Sequence, residues 1–302
     1  AQGRKIYVGP GPEDMVLDST HGNPRLLLSC AARRDCYGDF NEIVALDLIS
    51  EKPHVLPRMG EPDSLRFVPH GIFLKDDLLY VISHEREPDY HPILLYRVSD
   101  SALHFKERIH TSFQHSPNAL CVNEKGQIYL VNDAGKRNSL LEKALKLKRA
   151  SIVRIERRGE AGWEAEVVAT GLGYPAGINL QQDLLFAGDA VLNRIHVYRI
   201  NGDALQALPP ILKLKGNDNL RMYGKQIILA AHSKPLRFVR HARNPDVASP
   251  VRVYLSDPET GRSEVLYDGD GSEISAGSTA LIYRDKLYIC QVFEDFILKQ
   301  PL

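Results

Sequence analysis

Six stretches of this 302-residue chain share one form: a turn, then one distinctive residue, then an alternating apolar run. They are "GPEDMVL" from residue 11, "VPHGIFL" from 68, "SPNALCV" from 116, "YPAGINL" from 174, "GNDNLRM" from 216 and "SAGSTALIY" from 275. A repeat of roughly 50 residues holding about four short strands is the signature of a propeller blade, and six such units fill the chain. The remaining strands read from period-2 runs such as "EIVALDLI", "LLYVISH", "RIHVYRI" and "KLYICQVF", cut by Gly, Pro, Asn and Asp. Only "SLLEKALKLKR", residues 139–149, reads as a helix, with Asn138 or Ser139 as its cap and Leu140, Ala144, Leu145 and Lys148 on one face. The expectation is an all-β chain, one six-bladed β-propeller domain over residues 1–302 with one inserted amphipathic helix.

That fold dictates where the repeated residue points. The innermost strand of each propeller blade lines the central channel, so positions far apart in the chain converge on one axis. Glu13, His70, Asn118, Ala176, Asn219 and the pair Gly277 and Ser278 are therefore expected to meet, and convergent polar groups at a channel mouth define a default site. The atoms brought together are chiefly oxygens: carboxylates from Glu13 and Asp218, amide carbonyls from Asn118 and Asn219. A hard cation such as Ca2+ takes about six to eight such ligands, and two carboxylates balance its charge. Any one of these residues alone reads equally as a turn or strand cap. Four at equivalent positions of a repeat point to a metal.

Imidazoles join the oxygens. His70 occupies the key position of the second unit, while His84 and His232 end strands that follow key positions, and Asp133 ends the strand after Asn118. Competing chemistries lack their patterns: there is no G-x-S-x-G elbow and no H-E-x-x-H. Thirty-eight basic and 38 acidic side chains cancel, which argues against a nucleic-acid partner and suits a small neutral substrate. Cys121 and Cys290 lie in apolar strands and read as buried thiols. Cys30 and Cys36 flank a polar hairpin and fit a disulfide in an oxidising compartment, a slight lean toward an extracytoplasmic setting.

The motifs "GPED" at 11, "FVPHGIF" at 67, "YVISHE" at 80, "SPNALCV" at 116, "YLVNDAG" at 129, "DNLRM" at 218 and "AGSTALIYRDKLYICQVF" at 276, in this order, resemble the paraoxonase family of calcium-dependent lactonases and arylesterases. The resemblance covers nearly the whole chain and extends to the wider gluconolactonase-like propeller group. It implies hydrolysis of lactones or aryl esters, with Glu13, Asn118, Asp218 and Asn219 as ligands of one catalytic Ca2+. It further implies His70 as general base, His84 as its proton-shuttling partner, and Asp133 and His232 as pocket wall.

Three departures stand out. Ala176 takes the place of a fifth, Asn ligand. Ala119 takes the place of an Asp in the family's second, structural calcium site, which leaves only Asp14 and the Ile72 carbonyl there. The cysteines of the family's terminal disulfide are absent. The segment 139–149 falls where the family has a lid helix, and its Lys143, Lys146, Lys148 and Arg149 beside a leucine face also suit contact with an anionic membrane, the lesser of the two readings. Beside the hydrolase stands a second functional reading, a metal-poor propeller that binds a ligand or partner without turning it over.

Overall fold

The computed structural model describes residues 3–86, 90–135 and 148–302. Six four-stranded antiparallel blades follow one another in chain order, the second extended at its outer edge by the short strand Arg58–Met59, which pairs parallel. The inner strands are Pro12–Asp18, Pro69–Lys75, Pro117–Val122, Pro175–Gln181, Asn217–Tyr223 and Gly277–Tyr283, in blades 1 to 6. Each packs against the inner strands of both neighbouring blades, so the sheets form a closed ring. The propeller and its six blades are those the repeat predicts.

Apolar burial follows from this ring. Both faces of a blade are covered by other blades, so successive residues of one strand serve different cores. In blade 2, Leu79 and Val81 pack toward blade 1 with Leu27, Ile43 and Leu56, whereas Tyr80 and Ile82 pack toward blade 3 with Leu120 and Leu130. Equivalent clusters fill the other four blade junctions. Cys121 and Cys290 lie in two of them as buried thiols, as the sequence suggests. The expected Cys30–Cys36 disulfide does not form: Cys30 is buried in the strand Arg25–Ala31, Cys36 is exposed, and both are free.

Two features lie outside the repeat. The strand Arg4–Tyr7 pairs antiparallel with Phe296–Pro301, placing Ile6 opposite Ile297 as the outermost strand of blade 6. The described helix is Pro235–Arg243, which leaves the strand Gln226–His232 of blade 5, starts on proline and ends with Arg240, His241 and Arg243, favourable at a helix C-terminus. The helix expected over 139–149 falls mainly on residues 136–147, which lie outside the described residues.

Candidate active site on the propeller axis

Every inner strand carries a register break at its start. Pairing with the second strand jumps from Pro12 to Asp14, from Pro69 to Ile72, from Pro117 to Ala119, from Pro175 to Gly177, from Asn217 to Leu220 and from Gly277 to Ala280. The residues left out of the ladder are Glu13, His70 with Gly71, Asn118, Ala176, Asp218 with Asn219, and Ser278 with Thr279. A bulge re-aims the side chain it releases. The repeated key position is thus a bulge, and proline precedes it in four blades, where the missing N–H costs no ladder bond. Two glycines allow the strands to approach: a Cβ on Gly71 would fall 2.3 Å from the Asn118 carbonyl oxygen, and one on Gly177 would fall 2.7 Å from that of Asp218.

Glu13 and His70 meet directly, with His70 Nδ1 2.6 Å from Glu13 Oε2. The Arg33 guanidinium pairs with the same carboxylate oxygen and lies 3.0 Å from His70 Nδ1. Burial alone pushes the Glu13 carboxyl up, but Arg33 and His70 outweigh it and hold the group far below the usual carboxylate range. His70 Nε2 is buried with no hydrogen-bond partner. The His84 ring packs on that of His70 with centroids 4.7 Å apart, and on its other side His84 Nδ1 lies 3.1 Å from His91 Nδ1.

The oxygen set is oriented by its neighbours. Asp133 accepts Ser116 Oγ at 2.8 Å and Asn118 Nδ2 at 3.3 Å, which leaves Asn118 Oδ1 as a buried carbonyl oxygen with no partner. Asn219 Oδ1 is likewise buried and unpartnered. Asp218 pairs through Oδ2 with His232 Nε2 at 2.9 Å, and the His232 ring stacks at 4.1 Å on Phe238 of the helix. Burial pushes the Asp218 carboxyl above its ordinary value and the Glu13 charge adds to this, while His232 opposes it.

Among the described residues no three His, Cys, Asp or Glu side chains gather as a metal cluster. The axial set mixes two carboxylates with two amides, which is oxygen chemistry of the kind Ca2+ takes. Buried acceptors without donors are costly unless something fills them, so Asn118 Oδ1 and Asn219 Oδ1 fit a cation.

Asp14 and Ile72 also converge, but on an internal side chain. The Arg221 guanidinium pairs with Asp14 Oδ1, and its Nη2 donates to the Ile72 carbonyl at 3.1 Å and its Nε to that of Met15 at 2.8 Å. The other Asp14 oxygen accepts the Ile72 N–H at 2.9 Å. A guanidinium supplies the positive charge there, so the donors named for a second calcium are already engaged. Ser278 and Thr279 hydroxyls donate to the Glu13 carbonyl and hold that bulge from below. Ala176 sits in the blade 4 bulge, buried, with no side-chain oxygen to offer, and Asn179 is occupied with the Leu220 carbonyl.

Of the residues singled out from the sequence, the structure pairs Glu13 with His70, packs His84 on His70, and joins Asn118 to Asp133 and Asp218 to His232; the sequence reading omits Arg33, Arg221 and His91. A surface depression of about 530 Å3, lined by Tyr80, Glu107, Arg157 and Trp163 among others, lies on blades 2 and 3 and shares no residue with the axis.

A six-bladed propeller with a polar, imidazole-bearing axial site defines the class of protein. Within it, the arylesterase family profile matches residues 38–298, and the chain belongs to that family. It is similar to human serum paraoxonase/lactonase 3, at 26% identity over 268 residues, spanning 83% of this chain and 74% of the relative. Bovine serum paraoxonase/arylesterase 2 is 25% identical over 82% of this chain and 73% of its own. A solved gluconolactonase from Xanthomonas campestris shares the fold with a TM-score of 0.61 at 13% identity, over 99% of this chain and 90% of that one. A chain of the nidogen/laminin complex shares it with a TM-score of 0.58 at 11% identity, over 91% and 96%.

Proposed function

We propose that this chain hydrolyses lactones or aryl esters at the propeller axis, with His70 as general base and a Ca2+ held by Glu13, Asn118, Asp218 and Asn219. The observation that carries the reading is the pair of buried, unpartnered amide oxygens on Asn118 and Asn219 beside two carboxylates at bulges of the same ring. The cation, when bound, supplies polarisation of the substrate carbonyl and stabilises negative charge developing on its oxygen. Glu13 fixes the His70 tautomer: with the proton on Nδ1 given to the carboxylate, Nε2 carries the lone pair.

His70 Nε2 takes a proton from water as the water oxygen bonds to the acyl carbon. The ester C–O bond then breaks and the proton is returned to the leaving oxygen, giving acid and alcohol. His84, packed on His70, is placed to relay that proton. Asp133 and His232 hold Asn118 and Asp218 in orientation, and Phe238 and Phe293 form an aromatic wall beside His232.

The test is hydrolysis of a panel of lactones and aryl esters, before and after chelation and in His70→Gln. Activity that survives both exhaustive chelation and His70→Gln overturns the reading. Ala176, which leaves the ring one oxygen short, favours the second reading, a propeller that binds its ligand without hydrolysis. Absence of bound metal by elemental analysis, together with no turnover across the panel, would establish that one.

A further inference from the structure

We propose that His91 is a positioning residue for the axial site, acting through His84, so that three imidazoles in series back the Glu13 carboxylate. This rests on the reading of His70 as the base. The chain path makes the arrangement a built one. Ile82 pairs with Ile93, and Ser83 N–H donates to the Pro92 carbonyl at 2.9 Å. His84 and His91 are therefore the next opposed pair, closing the base of the loop between the second and third strands of blade 2. His91 is fully buried, and the Gln114 side-chain amide holds its backbone carbonyl at 3.1 Å. The two rings meet edge to face, centroids 4.9 Å apart and planes at 86°, with Nδ1 facing Nδ1 at 3.1 Å.

Two facing imidazole nitrogens at that distance share one hydrogen, so one donates and the other accepts. The tautomer of His84 is thereby tied to that of His91, while its ring packs on that of His70. An imidazole whose ring and tautomer are fixed by a buried partner exchanges protons from one defined atom. Replacing His91 removes the nitrogen that faces His84 Nδ1 and with it that constraint on the His84 tautomer. The described contact that links His91 to the axial site is its ring against that of His84.

The experiment compares wild type with His91→Phe, which keeps a buried ring without a hydrogen-bonding nitrogen, and with His91→Asn, whose amide stands where Nδ1 stood. Groups that orient a working imidazole or ligand are worth about 10- to 100-fold. In lactone hydrolysis His91→Phe is expected to lower kcat within that range with KM changed by less than about twofold, and His91→Asn to recover most of the loss. A double variant with His84→Gln is expected to be no slower than His84→Gln alone. Equal kcat for the Phe and Asn variants, or losses that multiply in the double variant, overturn the proposal.

If wild type turns over no substrate in the panel, the hydrolase reading fails, and nitrogen NMR of the imidazoles still decides the pairing. The His84 tautomer is expected to change in His91→Phe and to persist in His91→Asn, with both variants folded by circular dichroism. An unchanged His84 signal in folded His91→Phe overturns the coupling.

Discussion

Asn118 and Asp133 are joined by one hydrogen bond, Nδ2 to Oδ2 at 3.3 Å, and that bond decides which end of the amide faces the propeller axis. The amide nitrogen turns toward the carboxylate, and the carbonyl oxygen remains buried and unpartnered. Asp133→Ala removes the orienting partner of both Asn118 and Ser116. If the proposed calcium site is right, it is expected to weaken calcium binding by about 10- to 100-fold, the usual effect of losing a group that orients a ligand. Calorimetric titration of metal-stripped protein checks this; an unchanged affinity means the amide is held by other means.

Ala176 occupies the same bulge position as Glu13 and Asn118, one blade on from Asn118. Ala176→Asn adds the oxygen the ring lacks and is expected to tighten calcium binding. Affinity equal to wild type in a folded variant shows that the position does not face the cation.

Arg221 is buried at the axis with acceptors on blades 1, 2 and 5. Its removal leaves the Asp14 carboxylate buried without its counter-charge, a change that costs about 3–5 kcal/mol. Arg221→Met is expected to lower unfolding free energy by that order in urea denaturation. A loss under about 1 kcal/mol is the result that would falsify a clamping role for the guanidinium.

Asp189 gives the acid limb of stability. Burial raises its carboxyl pKa, but the His196 bond and the N–H groups of Leu192, Gly173 and Tyr174 outweigh it, and the folded value lies below the ordinary one. A depressed folded pKa contributes stability that is present above the unfolded value, near 3.9, and is lost as pH falls through the folded value. Asp189→Asn is expected to be less stable than wild type at pH 7, and the difference should shrink below about pH 4. Melting temperatures across that range check it.

The blades were legible because each begins with a turn and a key position followed by an alternating apolar run. The reason for the polar key residue was hidden: it is a bulge, and a bulge leaves no mark in period-2 alternation except a slip of one or two residues. Arg221 reads as an outward polar position in "NLRM", because nothing local shows that the ring brings Asp14 over it. Arg33 sits in "AARRD", which looks like a solvated turn, and His91 ends a loop whose closure depends on strand register. The helix Pro235–Arg243 did carry a signal, a proline followed by Leu236, Val239 and Arg240 at helical spacing, but its polar character resembles a loop. Arg4–Tyr7 alternates as a strand should, and only its partner, at the far end of the chain, gives it meaning.

That last pairing places the first and last strands side by side in one sheet, so the order of blades along the chain is a matter of where the polypeptide is cut. Joining the two ends with a short linker and opening a loop between any two other blades should give a circularly permuted protein with the same axial site. Deleting residues 4–7, by contrast, leaves the ring without its latch. Because Glu13, His70, Asn118 and Asp218 belong to four different blades, the proposed site exists only when the circle is complete.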